Sequence, residues 1–380
     1  MRVVVAIDSF KGSLSTLQAG NAVKEGILRV FSDAGVNVFP LADGGEGTTD
    51  AIISACFGNT KSVKVTGPLG ENIESNYGII DNEKTAVLEM SSAAGITLIS
   101  EEEKNPLNTT TFGVGELIKD ALDNGCRSFI IGIGGSCTND GGVGMLQALG
   151  FEFLDKDGKQ VLFGAKGLSA IESIILEKAD ERLKDCKITV ACDVKNPLCG
   201  KQGCSAVYGK QKGATPDMIT KMDGWLDRYA ELTKKELPCS DKNFPGAGAA
   251  GGLGFALMSY LGAELKSGID LVIDAVKLED NIRTADIVVT GEGRLDAQSY
   301  MGKAPVGVSA LAKKYGKPVI AFSGAVSDGA QMCNTVGIDA YFPILRSPCT
   351  LEDAMNIKNA SENLADTAEQ VFRLIKTFIK

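Results

Sequence analysis

Four apolar runs in this chain each end in residues that could do chemistry. They are Asp8-x-x-Lys11, Asp43-Gly-Gly-Glu46, Asp193-x-x-Asn196 and Gly291-Glu-Gly-Arg294. A fifth run, Phe129 to Ile133, turns through Gly134 and Gly135 into Ser136, Thr138, Asn139 and Asp140. Carboxylates can hold a magnesium ion or act as a base. Lysine and arginine neutralise phosphate, and glycine lets backbone approach it. Phosphoryl transfer needs all three and does not need histidine. The chain has no histidine, which excludes Ser-His-Asp catalysis, H-E-x-x-H zinc sites and histidine general bases. Any acid or base must be Asp, Glu, Lys, Tyr or Cys.

The elements that would position these residues follow from periodicity. Arg2 to Ile7 reads as a Val-rich strand, and Ser15 with Gln18 as a capping box that starts a helix to about Phe31. Val36 to Leu41 reads as a strand and about Thr49 to Cys56 as a helix. This βαβα order predicts a parallel sheet, with ligands beyond the carboxyl ends of its strands. Short alternating runs between Lys61 and Met90 predict antiparallel strands. Thr111–Leu122 reads as a helix, Lys187–Cys192 as a strand and Asp217–Glu236 as a helix. Ala285–Thr290, Pro318–Ser323 and about Ala340–Ile344 predict a second series of strands. A last helix runs from about Ser361.

The stretch around Gly134 and Gly135 has two readings. Val143, Leu146 and Leu149 follow it at helical spacing, with Gly150 as a stop, so its N–H groups could converge on an anion. The plainer reading is a strand-to-helix connection capped by Thr138 or Asn139.

Length and composition set the frame. With 380 residues the chain exceeds one compact core, so two domains are expected. The expected division is 1–65 plus 280–380 as a discontinuous parallel-sheet domain. Residues 66–279 would be an inserted α/β domain, with a cleft between the two. Hydrophobic residues make up 44% and charged residues 23%, as in soluble globular proteins. A net charge of -9 argues against a nucleic-acid partner. The charge-free run 244–263 has the length of a membrane span, but its six glycines read as a buried, glycine-rich helix. No signal peptide is expected, so a cytoplasmic location without a membrane partner is the reading. The ten cysteines lack a C-x-x-C pair and read as reduced, small buried residues. Walker A and protein-kinase motifs are absent. Gly246-Ala-Gly-Ala-Ala-Gly251 matches the dinucleotide fingerprint, but Asn243-Phe-Pro245 precedes it rather than a strand.

Six ordered motifs resemble one family. They are Asp8-Ser-Phe-Lys-Gly-Ser13, Ala42-Asp-Gly-Gly-Glu-Gly-Thr48, Gly134-Gly-Ser-Cys-Thr-Asn-Asp-Gly-Gly142, Cys192-Asp-Val-Lys-Asn-Pro-Leu198, Gly246–Gly254 and Thr290-Gly-Glu-Gly-Arg-Leu-Asp-Ala-Gln-Ser299. Together they resemble the bacterial type I glycerate kinase family over nearly the whole chain. The resemblance implies two α/β domains, one of them (1–65 plus 280–380) Rossmann-like and discontinuous, and transfer of the γ-phosphoryl of ATP to D-glycerate with Mg2+, usually giving 2-phosphoglycerate. Under it, Asp193 is the expected base, with Asp8 as the second candidate. Lys11 and Arg294 would neutralise the glycerate carboxylate or the γ-phosphate. Ser9, Gly134, Gly135, Ser136, Thr138 and Asn139 would bind substrate or phosphate. Asp43 or Glu292 would hold magnesium. A homodimer is left open. The competing readings are a dinucleotide-dependent hydroxy-acid oxidoreductase, based on Gly246–Gly251, and a non-catalytic small-ligand sensor.

Overall fold

A computed structural model describes residues 1–41, 48–56, 58–80, 84–300 and 304–379. Its strands, in chain order, are β1 (Arg2–Ile7), β2 (Gly35–Pro40), β3 (Asn59–Thr66), β4 (Asn72–Ile80), β5 (Thr85–Glu89), β6 (Ser128–Gly132), β7 (Glu152–Leu154), β8 (Ser173–Ile175), β9 (Lys187–Ala191), β10 (Glu264–Lys266), β11 (Ile287–Leu295), β12 (Val319–Val326) and β13 (Ala340–Pro343). The chain divides into two compact units. One comprises Met1–Asp43, Ser54–Cys56 and Ile269–Lys380; the other comprises Gly44–Ile53 and Phe57–Gly268.

The first unit holds a five-stranded, all-parallel sheet in the order β13-β12-β11-β1-β2. Counted along the chain within this unit, the order is 2-1-3-4-5. From β1 the chain moves outward to β2, then resumes on the other side at β11. The reversal between β1 and β11 is where ligands sit in such sheets. β1 lies inside the sheet, between β11 and β2, and its Val3, Val4, Val5, Ala6 and Ile7 are all buried. The helix Thr16–Val30 starts at Ser15, whose hydroxyl accepts from Gln18 N while the Gln18 side chain accepts from Ser15 N. It packs on the C-terminal helix Ile357–Phe378, which buries Ala360, Leu364, Ala365, Ala368 and Phe372.

The second unit holds a six-stranded mixed sheet, β10-β9-β6-β5-β4-β3. β3, β4 and β5 form the expected antiparallel meander. β5, β6, β9 and β10 then continue in parallel. A β7–β8 hairpin lies apart from this sheet. The border expected at residues 65–66 lies earlier, because β3 pairs along its whole length with β4. The border expected at 279–280 also lies earlier, because the helix Gly268–Ala275 falls almost wholly in the first unit.

Two local expectations are corrected. Gly291–Arg294 is not a turn after the strand: β11 continues to Leu295, since β12 runs to Val326 and supplies ladder partners for Arg294 and Leu295. The helix after Gly134–Gly135 is only Val143–Ala148, and its cap is Gly142 rather than Thr138 or Asn139.

Candidate active site

In the first unit, residues beyond the carboxyl end of β1 fold back tightly. Phe10 N donates to Leu14 O at 2.8 Å, and Ser13 N to Phe10 O at 2.7 Å. Asp8 N donates to Gly291 O at 2.9 Å, which stitches this loop to β11. The Asp8 carboxylate accepts from Ser9 N at 2.6 Å. At this junction a cavity of about 450 Å³ opens, lined by Asp8, Ser9, Lys11, Glu292, Arg294 and Asp296. Its lining also includes the apolar Ile344, Leu345, Leu351 and Met355. Glu292 and Asp8 are buried at its edge, while Lys11 and Arg294 are exposed. Among the described residues no carboxylate pairs with Arg294. Asp8, Ser9 and Lys11 from one end of the chain and Glu292 and Arg294 from the other therefore line one cavity. That rim suits phosphate or carboxylate: two cations beside carboxylates that could take a metal.

In the second unit, strand register aligns another set. Gly132 of β6 pairs with Glu89 of β5 and with Ala191 of β9. Gly134 and Asp193 therefore stand two residues past paired positions, at the carboxyl ends of neighbouring strands. Asp193 is exposed, and its Oδ1 accepts from Gly268 N at 3.0 Å. Glu89 ends the next strand and accepts from Thr49 N at 2.9 Å. Sequence pattern gives no signal for Glu89, because it closes an ordinary buried run.

The glycine turn itself differs from expectation in a specific way. Asp140 takes over the start of the helix Val143–Ala148. Its carboxylate accepts from Gly142 N at 3.1 Å, Gly144 N at 3.3 Å, Thr111 N at 2.8 Å and Thr111 Oγ1 at 2.9 Å. A phosphate has no place there. Thr138 and Asn139 are fully buried, and Asn139 Nδ2 donates to Ser205 Oγ at 2.9 Å. Their expected role as phosphate contacts gives way to one inside the protein, because burial removes both side chains from the surface. What stays accessible is Gly134, Gly135 and the edge of Ser136. The N–H groups of these three residues donate to no protein acceptor among the described residues. Gly135 has φ +71°, in the left-handed region that glycine adopts without a steric penalty. Uncommitted backbone donors at such a turn suit an anion.

Beneath this turn lies a residue that sequence pattern does not reveal. Lys212 is 2% exposed, and its Nζ donates to Ser136 Oγ at 2.8 Å and to Thr138 O at 2.6 Å. Burial lowers its pKa to about 8. No spacing rule separates Lys212 from its exposed neighbour Lys210.

The glycine-rich segment after Pro245 supports the same turn. Ala250, Gly251 and Gly252 have positive φ inside the helix Ala249–Leu261. Gly251 O accepts from Gly141 N at 3.0 Å, and a Cβ on Gly251 would collide with the Thr138 carbonyl. Its glycines serve close backbone contact, and the element just before them is the helix Pro216–Glu236 rather than a strand. The dinucleotide reading of Gly246–Gly251 loses its structural context.

Asp43 and Glu46 lie outside the described residues. Among the described residues no group of three or more His, Cys, Asp or Glu forms a metal cage. Magnesium more often takes one or two carboxylates together with substrate phosphates. Glu292 and Asp8, oxygen donors at the edge of the cavity, fit that mode.

Parallel strand ends carrying carboxylates, cations and bare amides define a class: an α/β enzyme that handles small anions. Comparison narrows it. Residues 3–376 match the model of the glycerate kinase family. The chain is 49% identical to glycerate 2-kinase of Escherichia coli K12, over 97% of this chain and 98% of that one. It is 47% identical to glycerate kinase of Haemophilus influenzae Rd, over 99% of both chains. A crystal structure from Salmonella typhimurium LT2, provisionally named glycerate kinase 2, superposes with a TM-score of 0.92 at 46% identity. It covers 99% of this chain and 98% of that one. The chain belongs to the glycerate kinase family. It is a kinase that acts on glycerate. Among the described residues no helix is long and apolar enough to cross a membrane.

Proposed function

We propose that this enzyme transfers the γ-phosphoryl of ATP to the 2-hydroxyl of D-glycerate, giving 2-phosphoglycerate. The observation that carries the proposal is the cavity at the β1–β11 strand reversal, with Lys11 and Arg294 on its rim and Asp8 and Glu292 buried beside them. The name of the E. coli relative, glycerate 2-kinase, supports the choice of hydroxyl. The cavity is of ligand size, and its apolar lining exceeds what a three-carbon acid would cover, which favours a nucleoside there.

In this reading Arg294 and Lys11 offset the charge of the phosphates, and Ser9 adds a hydroxyl donor. Gly134, Gly135 and Ser136 donate N–H groups to an anionic substrate group. Asp193 takes the proton from the attacking hydroxyl, and Asp8 is the second candidate for that step. Glu292, with Asp43, would hold magnesium, which when bound supplies charge neutralisation for the transferring phosphoryl group.

The test is phosphorus NMR of the product formed from D-glycerate, ATP and magnesium. The 2-phosphate should be the main product. Formation of the 3-phosphate overturns the choice of hydroxyl, and turnover independent of ATP overturns the donor. Replacing Asp193 by Asn should lower kcat by about 100-fold to 10,000-fold. If Asp8→Asn does this and Asp193→Asn does not, the base is Asp8.

A further inference from the structure

The ammonium of Lys212 is nearly sealed from water, yet among the described residues no carboxylate forms an ion pair with it. The titratable groups facing it are Asp140, Cys137 and Cys204. Burial pushes the Cys137 thiol up to about 12 and the Cys204 thiol up to about 11, so both are neutral near pH 7. Burial also raises the pKa of Asp140, whose oxygens are committed to Thr111, Gly142 and Gly144. A buried cation with so little balancing charge is costly unless something else compensates it.

The geometry shows where compensation would come from. Nζ occupies a lone pair of Ser136 Oγ, which leaves the Ser136 hydroxyl proton as the group able to donate outward. That hydroxyl sits beside the three uncommitted N–H groups of Gly134, Gly135 and Ser136. Ammonium, hydroxyl and amides form one donor chain of a single sign.

We infer that Lys212 is a positioning residue that orients Ser136 and charges the Gly134–Ser136 turn from below, so that the turn binds an anionic substrate group. This rests on the kinase reading above only for the identity of the anion, which is either a phosphate of the nucleotide or the carboxylate of glycerate. The sign of proton linkage follows. Without an anion, the depressed pKa of Lys212 makes its charged form a cost to the folded protein, relieved as pH rises through about 8. A bound anion favours the charged form, so binding near pH 8 takes up protons.

Titration calorimetry of the full-length protein at pH 8, in two buffers of different ionisation enthalpy, tests this with sodium tripolyphosphate and separately with D-glycerate. Uptake of about half a proton is expected with the probe that the turn holds. Lys212→Met should abolish that uptake and raise the KM of the matching substrate roughly 10-fold to 100-fold. It should also remove the alkaline limb near pH 8 from kcat/KM, with Tm unchanged or raised. Lack of proton uptake with both probes overturns the inference. So does a Lys212→Met enzyme with lower Tm and both KM values unchanged, which would make the lysine a packing element. If that variant does not fold, the wild-type calorimetry decides alone. The calorimetry needs no turnover, so a wild-type protein that fails to phosphorylate glycerate would count against the proposed function and leave this inference to be judged on binding.

Discussion

The β1–β11 junction of the first unit and the Gly134–Asp140 turn of the other unit share a sequence pattern: an apolar run, glycines, then polar residues. Their polar side chains have different fates. At the junction, Lys11 and Arg294 are exposed on a cavity with Asp8 and Glu292 beside them. At the turn, Thr138, Asn139 and Asp140 are all but fully buried, and only backbone N–H groups and Ser136 face outward. The junction presents charged side chains; the turn presents amides packed over buried side chains. In the proposed function a polar residue at a strand end is therefore either the tool or the clamp that holds it.

Three substitutions test that contrast. The largest expected effect is on stability, at the clamp. Asp140→Ala would leave four buried donors without their acceptor. It should cost on the order of 3–5 kcal/mol in urea unfolding. A loss below about 1 kcal/mol would break the comparison.

The next effect is on catalysis, at the tool. Arg294→Ala should lower kcat/KM on the order of 100-fold to 1,000-fold, with unfolding by urea little changed, because Arg294 is exposed and makes no ion pair among the described residues. A rise in the KM for ATP alone would place this guanidinium on the nucleotide. A rise in the KM for glycerate alone would place it on the acid.

The smallest effect sharpens the clamp reading. Thr138 Oγ1 is buried and has no hydrogen-bond partner among the described residues. Thr138→Val should be neutral or stabilising by up to about 1 kcal/mol, with both KM values unchanged. A several-fold rise in either KM would return this hydroxyl to the ligand.

How much of this is legible in sequence varies residue by residue. The Ser15–Gln18 box, the Val-rich first strand and the meander after Asn59 follow from local pattern, since capping and alternation act over a few residues. Asp8, Ser9, Lys11, Glu292 and Arg294 are also readable as candidate site residues, because strand ends of parallel sheets are where ligands bind, and all five line one cavity. Glu292 and Arg294 nevertheless extend a strand whose apolar pattern ends at Thr290. Whether a strand stops depends on its neighbour, and β12 supplies that neighbour from about 30 residues away.

The sequence alone determined the α/β class, the absence of histidine chemistry, the order of the motifs and the resemblance to a kinase family. Each of these depends on residue identity or on spacing within a few positions. Only the tertiary structure decided which polar groups remain open to a ligand. Burial is a property of everything packed around a side chain: it enclosed Thr138, Asn139 and Asp140, and it placed Lys212, but not Lys210, beneath Ser136.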